Sequence, residues 1–97
     1  MRIMKTAKVY DVTEYLETEA DMAAYLNAAL EDGDPAVLST ALGDIARAKG
    51  MTQLARETGI SRDGLYKALS PTGNPSFATV QKVINALGMK VEVAVPA

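Results

Sequence analysis

Glycines at 33, 50, 59 and 88 each close a run of residues with helical periodicity. The first three are followed within two residues by a helix-capping side chain: Asp34, Thr52 and Ser61. This punctuation constrains the fold more than any other feature. A left-handed residue stops a helix and a capping oxygen starts the next, so no helix here can exceed about four turns. The spacing predicts a helix capped by Thr18, with Glu19 and Asp21 in its first turn and Met22, Leu26, Ala29 and Leu30 on its buried face. A second starts at Asp34-Pro35, with Pro at the first helical position, and buries Leu38, Ala41, Leu42 and Ile45. Two short helices follow, Gln53 to Thr58 capped by Thr52 and Arg62 to Leu69 capped by Ser61. After the turn-forming run Ser70-Pro71-Thr72-Gly73-Asn74-Pro75, Ser76 caps a last helix with Val80, Val83, Ile84 and Leu87 on one face.

The flanks are less regular. Lys8 to Val12 reads as an extended lead-in, Thr13 as the cap of a single turn over Glu14 to Leu16, and Val91 to Val95 as a short strand of period two. The expectation is an all-α, five-helix domain with a short C-terminal β-strand. The 97 residues suffice for one domain. Within it we distinguish an acidic extension and helix at 1–34, a core at 35–88, and a strand and tail at 89–97.

The chain has no Cys, His or Trp. Disulfides, thiolate or imidazole metal sites and Ser-His or Cys-His nucleophile pairs are therefore excluded, and no cofactor is expected. Asp11, Glu14 and Glu17 are the only carboxylate set resembling an acid/base group. With no phosphate-cradling glycine loop beside it, an enzyme is not the expected reading. No apolar run approaches the roughly 20 residues needed to cross a bilayer, so a cytoplasmic protein with no membrane contact is expected.

The formal charge of −2 conceals a division. Residues 1–34 carry three basic and eight acidic side chains, a net −5, with no Lys or Arg between Asp11 and Asp34. Residues 35–97 carry seven basic and four acidic side chains, a net +3. A charge run can be simply a solvated helix face. The alternative is two surfaces for two partners of opposite sign.

The positive half holds the most informative spacing. Two helices meeting steeply through a short turn need a small residue at the crossing, a residue tolerant of positive φ four places later, and apolar anchors on both helices. Ala55, Gly59 and the set Leu54, Ile60, Leu65 and Leu69 meet these needs. Together they give the pattern of a DNA-binding helix-turn-helix. A recognition helix in the major groove presents its N-terminal residues to base edges, here Arg62 and Asp63, with Tyr66 and Lys67 one turn later. Arg62 suits a bidentate contact to guanine, and Asp63 suits cytosine N4 or the support of Arg62. Ser61 opens that helix, and Thr52 and Gln53 at the start of the preceding one suit phosphate. Gly64 inside the recognition helix suggests that something approaches closely.

Gly-Asp-Pro at 33–35, Ala-Leu-Gly-Asp-Ile-Ala-Arg at 41–47, Gly-Met-Thr-Gln-Leu-Ala-Arg-Glu-Thr-Gly at 50–59, Ser-Arg-Asp-Gly-Leu-Tyr-Lys-Ala-Leu-Ser at 61–70 and Gly-Asn-Pro at 73–75 resemble the addiction-module antidote proteins over almost the whole chain. The resemblance implies an antitoxin of the phage-repressor-like helix-turn-helix class. Such a protein neutralises a small basic RelE/ParE-type toxin and, as a homodimer, represses the shared operon by binding double-stranded operator DNA. In one respect the chain departs from the wider repressor-like class: Thr52-Gln53 lies closer to the turn glycine, so the first motif helix is shorter.

On this reading the acidic half docks the toxin, with Tyr10, Tyr15 and Tyr25 as candidate anchors, at least one of which serves core packing instead. Val91 to Val95, or the exposed face of the last helix, is the candidate dimer contact. The alternatives are a stand-alone helix-turn-helix repressor, which has no need of the acidic extension, and a pure protein-interaction domain, which has no need of Arg62 and Lys67.

Overall fold

The computed structural model describes residues 15–96. Five helices follow one another: α1 Glu19–Asp32, α2 Pro35–Lys49, α3 Met51–Thr58, α4 Arg62–Ala68 and α5 Phe77–Ala86. Their starts follow from the capping residues. Thr18 Oγ1 accepts from the Asp21 N–H at 3.0 Å while the Asp21 carboxylate accepts from the Thr18 N–H at 3.2 Å, a reciprocal capping box. Asp34 accepts from the Ala36 N–H ahead of Pro35, and Ser61 and Ser76 each accept from the N–H three residues on. Gly33, Gly50, Gly59 and Gly88 all take positive φ.

α2 is the central element, packing against α1, α3 and α4, while α5 packs on α3. Leu42 and Ile45 of α2, Leu54 of α3, Leu65 of α4, Val83 of α5 and Leu87 just beyond it are fully buried. Burying each such side chain contributes about 1.5–3 kcal/mol, so the core is shared by every helix around α2. α1 joins it through Met22, Leu26 and Ala29, and Leu16 is buried just ahead of that helix. A polar tie reinforces the same contact. The Tyr25 hydroxyl donates to Asp44 Oδ2 of α2 at 2.6 Å, and the other oxygen of that buried carboxylate pairs with Arg47. Beside the tie, Ala28, Ala29, Val37 and Ala41 help to line an apolar groove between the two helices, with a volume of about 390 Å³.

The helices depart from expectation at several points. α3 begins at Met51 with Gly50 as its N-cap, so Thr52 lies inside the helix and caps nothing. The cause is Met51, whose side chain is buried in the core and draws the first turn two residues earlier. Leu30 is 53% exposed. α1 has α2 as its main neighbour, and a single neighbour covers only the narrow stripe of 22, 26 and 29. α4 ends at Ala68, with Leu69 as its C-cap.

The expected strand at Val91–Val95 is absent. Residues 91–96 have no regular secondary structure, and no strand occurs among the described residues. A strand forms only when a neighbour satisfies its backbone groups, and the described residues offer none. The lead-in at Lys8 to Val12 and the Thr13 cap lie outside the described residues, as do Tyr10 and the carboxylates of Asp11 and Glu14. Among the described residues no helix is long and apolar enough to cross a membrane.

Candidate nucleic-acid interface

The α3–α4 joint is built by local hydrogen bonds around one left-handed residue. Gly59 sits at φ 76°, ψ 9°, a conformation costly for residues with a Cβ, and its N–H closes α3 on the Ala55 carbonyl at 3.0 Å. The Thr58 hydroxyl donates to the Leu54 carbonyl at 2.8 Å and accepts from the Ile60 N–H at 3.2 Å, bridging helix to turn. Two residues on, Ser61 Oγ accepts from the Gly64 N–H at 3.0 Å and the Ser61 carbonyl accepts from the Leu65 N–H at 2.9 Å. Inward, Leu54 and Leu65 are fully buried, Leu69 nearly so, and Ala55 and Ile60 are half-buried. Each residue singled out for the crossing therefore faces the core.

A methyl on Gly64 would meet Ser61 Oγ at 3.1 Å and Ile60 Cγ2 at 3.2 Å. The close approach expected at this glycine thus comes from the turn of the same chain. A tighter constraint went unrecognised in the sequence. A methyl on Gly43 in α2 would lie closer than 3.0 Å to the Leu69 carbonyl oxygen, so α2 seats the C-terminal end of α4 through a residue with no side chain. Gly73 does the same from the other side, lying against the Lys67 and Ala68 carbonyls. The Ser70 hydroxyl donates to the Lys67 carbonyl at 2.9 Å.

All seven residues expected to meet DNA, Thr52, Gln53, Ser61, Arg62, Asp63, Tyr66 and Lys67, are exposed on α3, the turn or α4. Arg62, Asp63, Tyr66 and Lys67 follow the i, i+1, i+4, i+5 pattern that places them on one helical face, away from buried Leu65. The Arg62 guanidinium carbon stands 5.9 Å from the Tyr66 ring centroid, within cation–π range. This contact holds the arginine over the helix surface. The Ser61 hydroxyl oxygen accepts from the Gly64 N–H and so caps α4 immediately ahead of Arg62 and Asp63.

On α3, Thr52 and Gln53 share their face with Arg56 and Glu57, one turn on. The Gln53 amide donates to Glu57 Oε2 at 3.0 Å. Arg56, exposed and cationic, was not among the expected site residues; its spacing from Thr52 is the signal that identifies it. The face formed by these two helices thus carries Arg56, Arg62 and Lys67 against Glu57 and Asp63.

α1 is opposite in character. Glu17, Glu19, Asp21, Glu31, Asp32 and Asp34 are all exposed in or beside it. Of the tyrosines, Tyr25 is half-buried and serves the tie to Asp44, while Tyr15 is 61% exposed. Among the described residues no group of three or more His, Cys, Asp or Glu side chains is arranged to hold a metal ion.

Comparison with known proteins finds similarity over nearly the whole chain. The pattern of a family described as "probable addiction module antidote protein" matches residues 6–95. An uncharacterized protein of Haemophilus influenzae is 54% identical over 86 residues, covering 89% of each chain. No solved structure matches.

Proposed function

The chain belongs to the family of probable addiction module antidote proteins, and from that premise we propose an antitoxin with two working surfaces. An antidote implies a toxin as partner. The acidic surface of α1 suits a small basic one of the RelE/ParE type, because opposite charge steers encounter and fixes register. Tyr15, which is 61% exposed, offers that partner an aromatic surface, and Tyr25 ties α1 to α2.

The α3–Gly59–α4 unit is the helix-turn-helix with which the protein binds its own operator. The observation that carries this reading is the division of α4. Leu65 is fully buried, while Arg62, Asp63, Tyr66 and Lys67 are presented together to solvent. Laid in the major groove, Arg62 donates two hydrogen bonds to guanine O6 and N7. Asp63 accepts from cytosine N4 or supports Arg62, and Tyr66 and Lys67 meet sugar and phosphate. Thr52 and Gln53, with Arg56, contact the backbone from α3. One donor of the Gln53 amide is engaged by the Glu57 carboxylate, whose charge also opposes a nearby phosphate, so its contribution is smaller than that of Arg62. One such motif makes few base contacts, and physiological salt weakens its phosphate contacts. The protein therefore acts as a homodimer on a palindromic site, and repression of the operon follows from occupying it.

Co-expression with the product of the adjacent reading frame tests the antitoxin half. The expected result is co-purification of a basic partner and rescue of growth. If the pair never associates, the antitoxin reading falls and the stand-alone repressor survives.

A further inference from the structure

We propose that residues 91–95 of two copies pair as an antiparallel ribbon centred on Val93, and that this ribbon is the dimer contact. The dimer so formed serves the operator binding proposed above and to that extent rests on it. The evidence for it is separate. Val93 and Val95 are 98% and 93% exposed and Val91 is 42% exposed, so an alternating valine run finds no cover among the described residues. Residues 91–96 make no regular structure, leaving their backbone groups without a ladder. Valine at alternate positions is the composition of a strand with one apolar face.

The segment Lys90-Val91-Glu92-Val93-Ala94-Val95-Pro96 complements itself in one register. With Val93 on the two-fold axis, Val91 stands opposite Val95 and Glu92 opposite Ala94, so both strands contribute three valines to one face. Slipping by one residue puts the valines of the two strands on opposite faces. Slipping by two in one direction sets Glu92 against Glu92, a like-charge pair. Slipping by two in the other leaves Val91 without a valine opposite. Parallel pairing in register stacks Lys90 on Lys90 and Glu92 on Glu92.

Pro96 fits the same arrangement. It has no N–H to donate, and in this register it faces Lys90 at a position of the non-hydrogen-bonded kind whenever 91, 93 and 95 make the ladder bonds. Two strands alone are only marginally stable, so the dimer is reversible.

Because the chain has no cysteine, single cysteines report the register directly. Residues directly opposite in an antiparallel pair lie within disulfide reach. Full-length Val93→Cys is expected to form a disulfide dimer under mild oxidation. Val91→Cys and Val95→Cys should cross-link when mixed but not separately, and Glu92→Cys should not link to itself. Val93→Lys, at a fully exposed position, should keep the helical circular dichroism and weaken self-association by at least about tenfold in sedimentation. The ribbon is overturned if the native chain sediments as a monomer at millimolar concentration. It is overturned equally if Val93→Cys links no faster than Gln81→Cys on α5, or if Glu92→Cys links as well as Val93→Cys. None of these outcomes touches toxin binding, so the ribbon can fail while the antitoxin reading stands.

Discussion

Gly43→Ala separates the seat of α4 from ordinary helix propensity, because the two effects have opposite signs. Gly43 is buried in the interior of α2, where alanine favours the helix by about 1 kcal/mol. The added methyl, however, falls closer than 3.0 Å to the Leu69 carbonyl oxygen and 3.6 Å from Leu69 Cβ. The obstructing atom is backbone at the end of α4 and cannot rotate away, so α2 and α4 must separate. Overpacking of this kind costs about 1–3 kcal/mol, and more where backbone has to move. Because backbone has to move, the cost falls in the upper part of that range, about 2–3 kcal/mol, and subtracting the propensity gain leaves a net loss of about 1–2 kcal/mol. For a domain of this size that lowers Tm by roughly 5–15 °C. Gly64→Ala is the control. Its methyl meets the Ser61 hydroxyl and an Ile60 methyl at 3.1–3.2 Å, both able to yield, so the propensity gain largely offsets the contact. Urea unfolding followed by circular dichroism measures both variants. If Gly43→Ala proves as stable as the native chain, or more stable, α4 is not seated on α2 through that contact.

Three further outcomes follow from the same geometry. Tyr25→Phe removes the donor to Asp44 while leaving Arg47 in place. It should cost about 1–2 kcal/mol in urea unfolding, and an unchanged midpoint would mean that the tie does not hold α1. Thr18→Ala dissolves the capping box and should cost about 1 kcal/mol; hydrogen exchange should show faster opening at the start of α1, and unchanged protection there would contradict the cap. Lys67→Ala should weaken operator binding about equally on all sequences and lower the slope of log K against log salt by about 1. An unchanged slope would remove Lys67 from the phosphate contacts.

The caps and stops were legible because each acts within four residues. Thr18, Asp34-Pro35, Ser61 and Ser76 start helices where the sequence places them, and Gly59 takes the left-handed turn. Long-range effects were not legible in this way. The start of α3 moved to Met51 because that side chain finds the core, and only the packed structure shows the core. Gly43 looks unremarkable within a helical pattern until Leu69 is placed beside it. Tyr25 reads as a surface aromatic among carboxylates until Asp44 appears across α2. The valines of 91–95 carry a clear strand pattern, but pattern alone does not supply the second strand.

For the candidate interface, spacing leads to seven residues that lie exposed on α3, the turn and α4, but it does not give the contacts these residues make with their neighbours. The Ser61 hydroxyl oxygen accepts in the cap of α4, the Gln53 amide donates to Glu57, and Arg62 rests over Tyr66.

Protection of the chain's own promoter by native protein and by Arg62→Ala is accordingly the most direct measurement. Arg62 is exposed and its removal leaves the core untouched. The expected result is a palindromic footprint with native protein and a loss of about 1–3 kcal/mol in binding for the variant, roughly ten- to a hundredfold, with relaxed preference at one base pair of each half-site. Unchanged affinity and unchanged sequence preference in Arg62→Ala would contradict the assignment of α4 as the recognition helix.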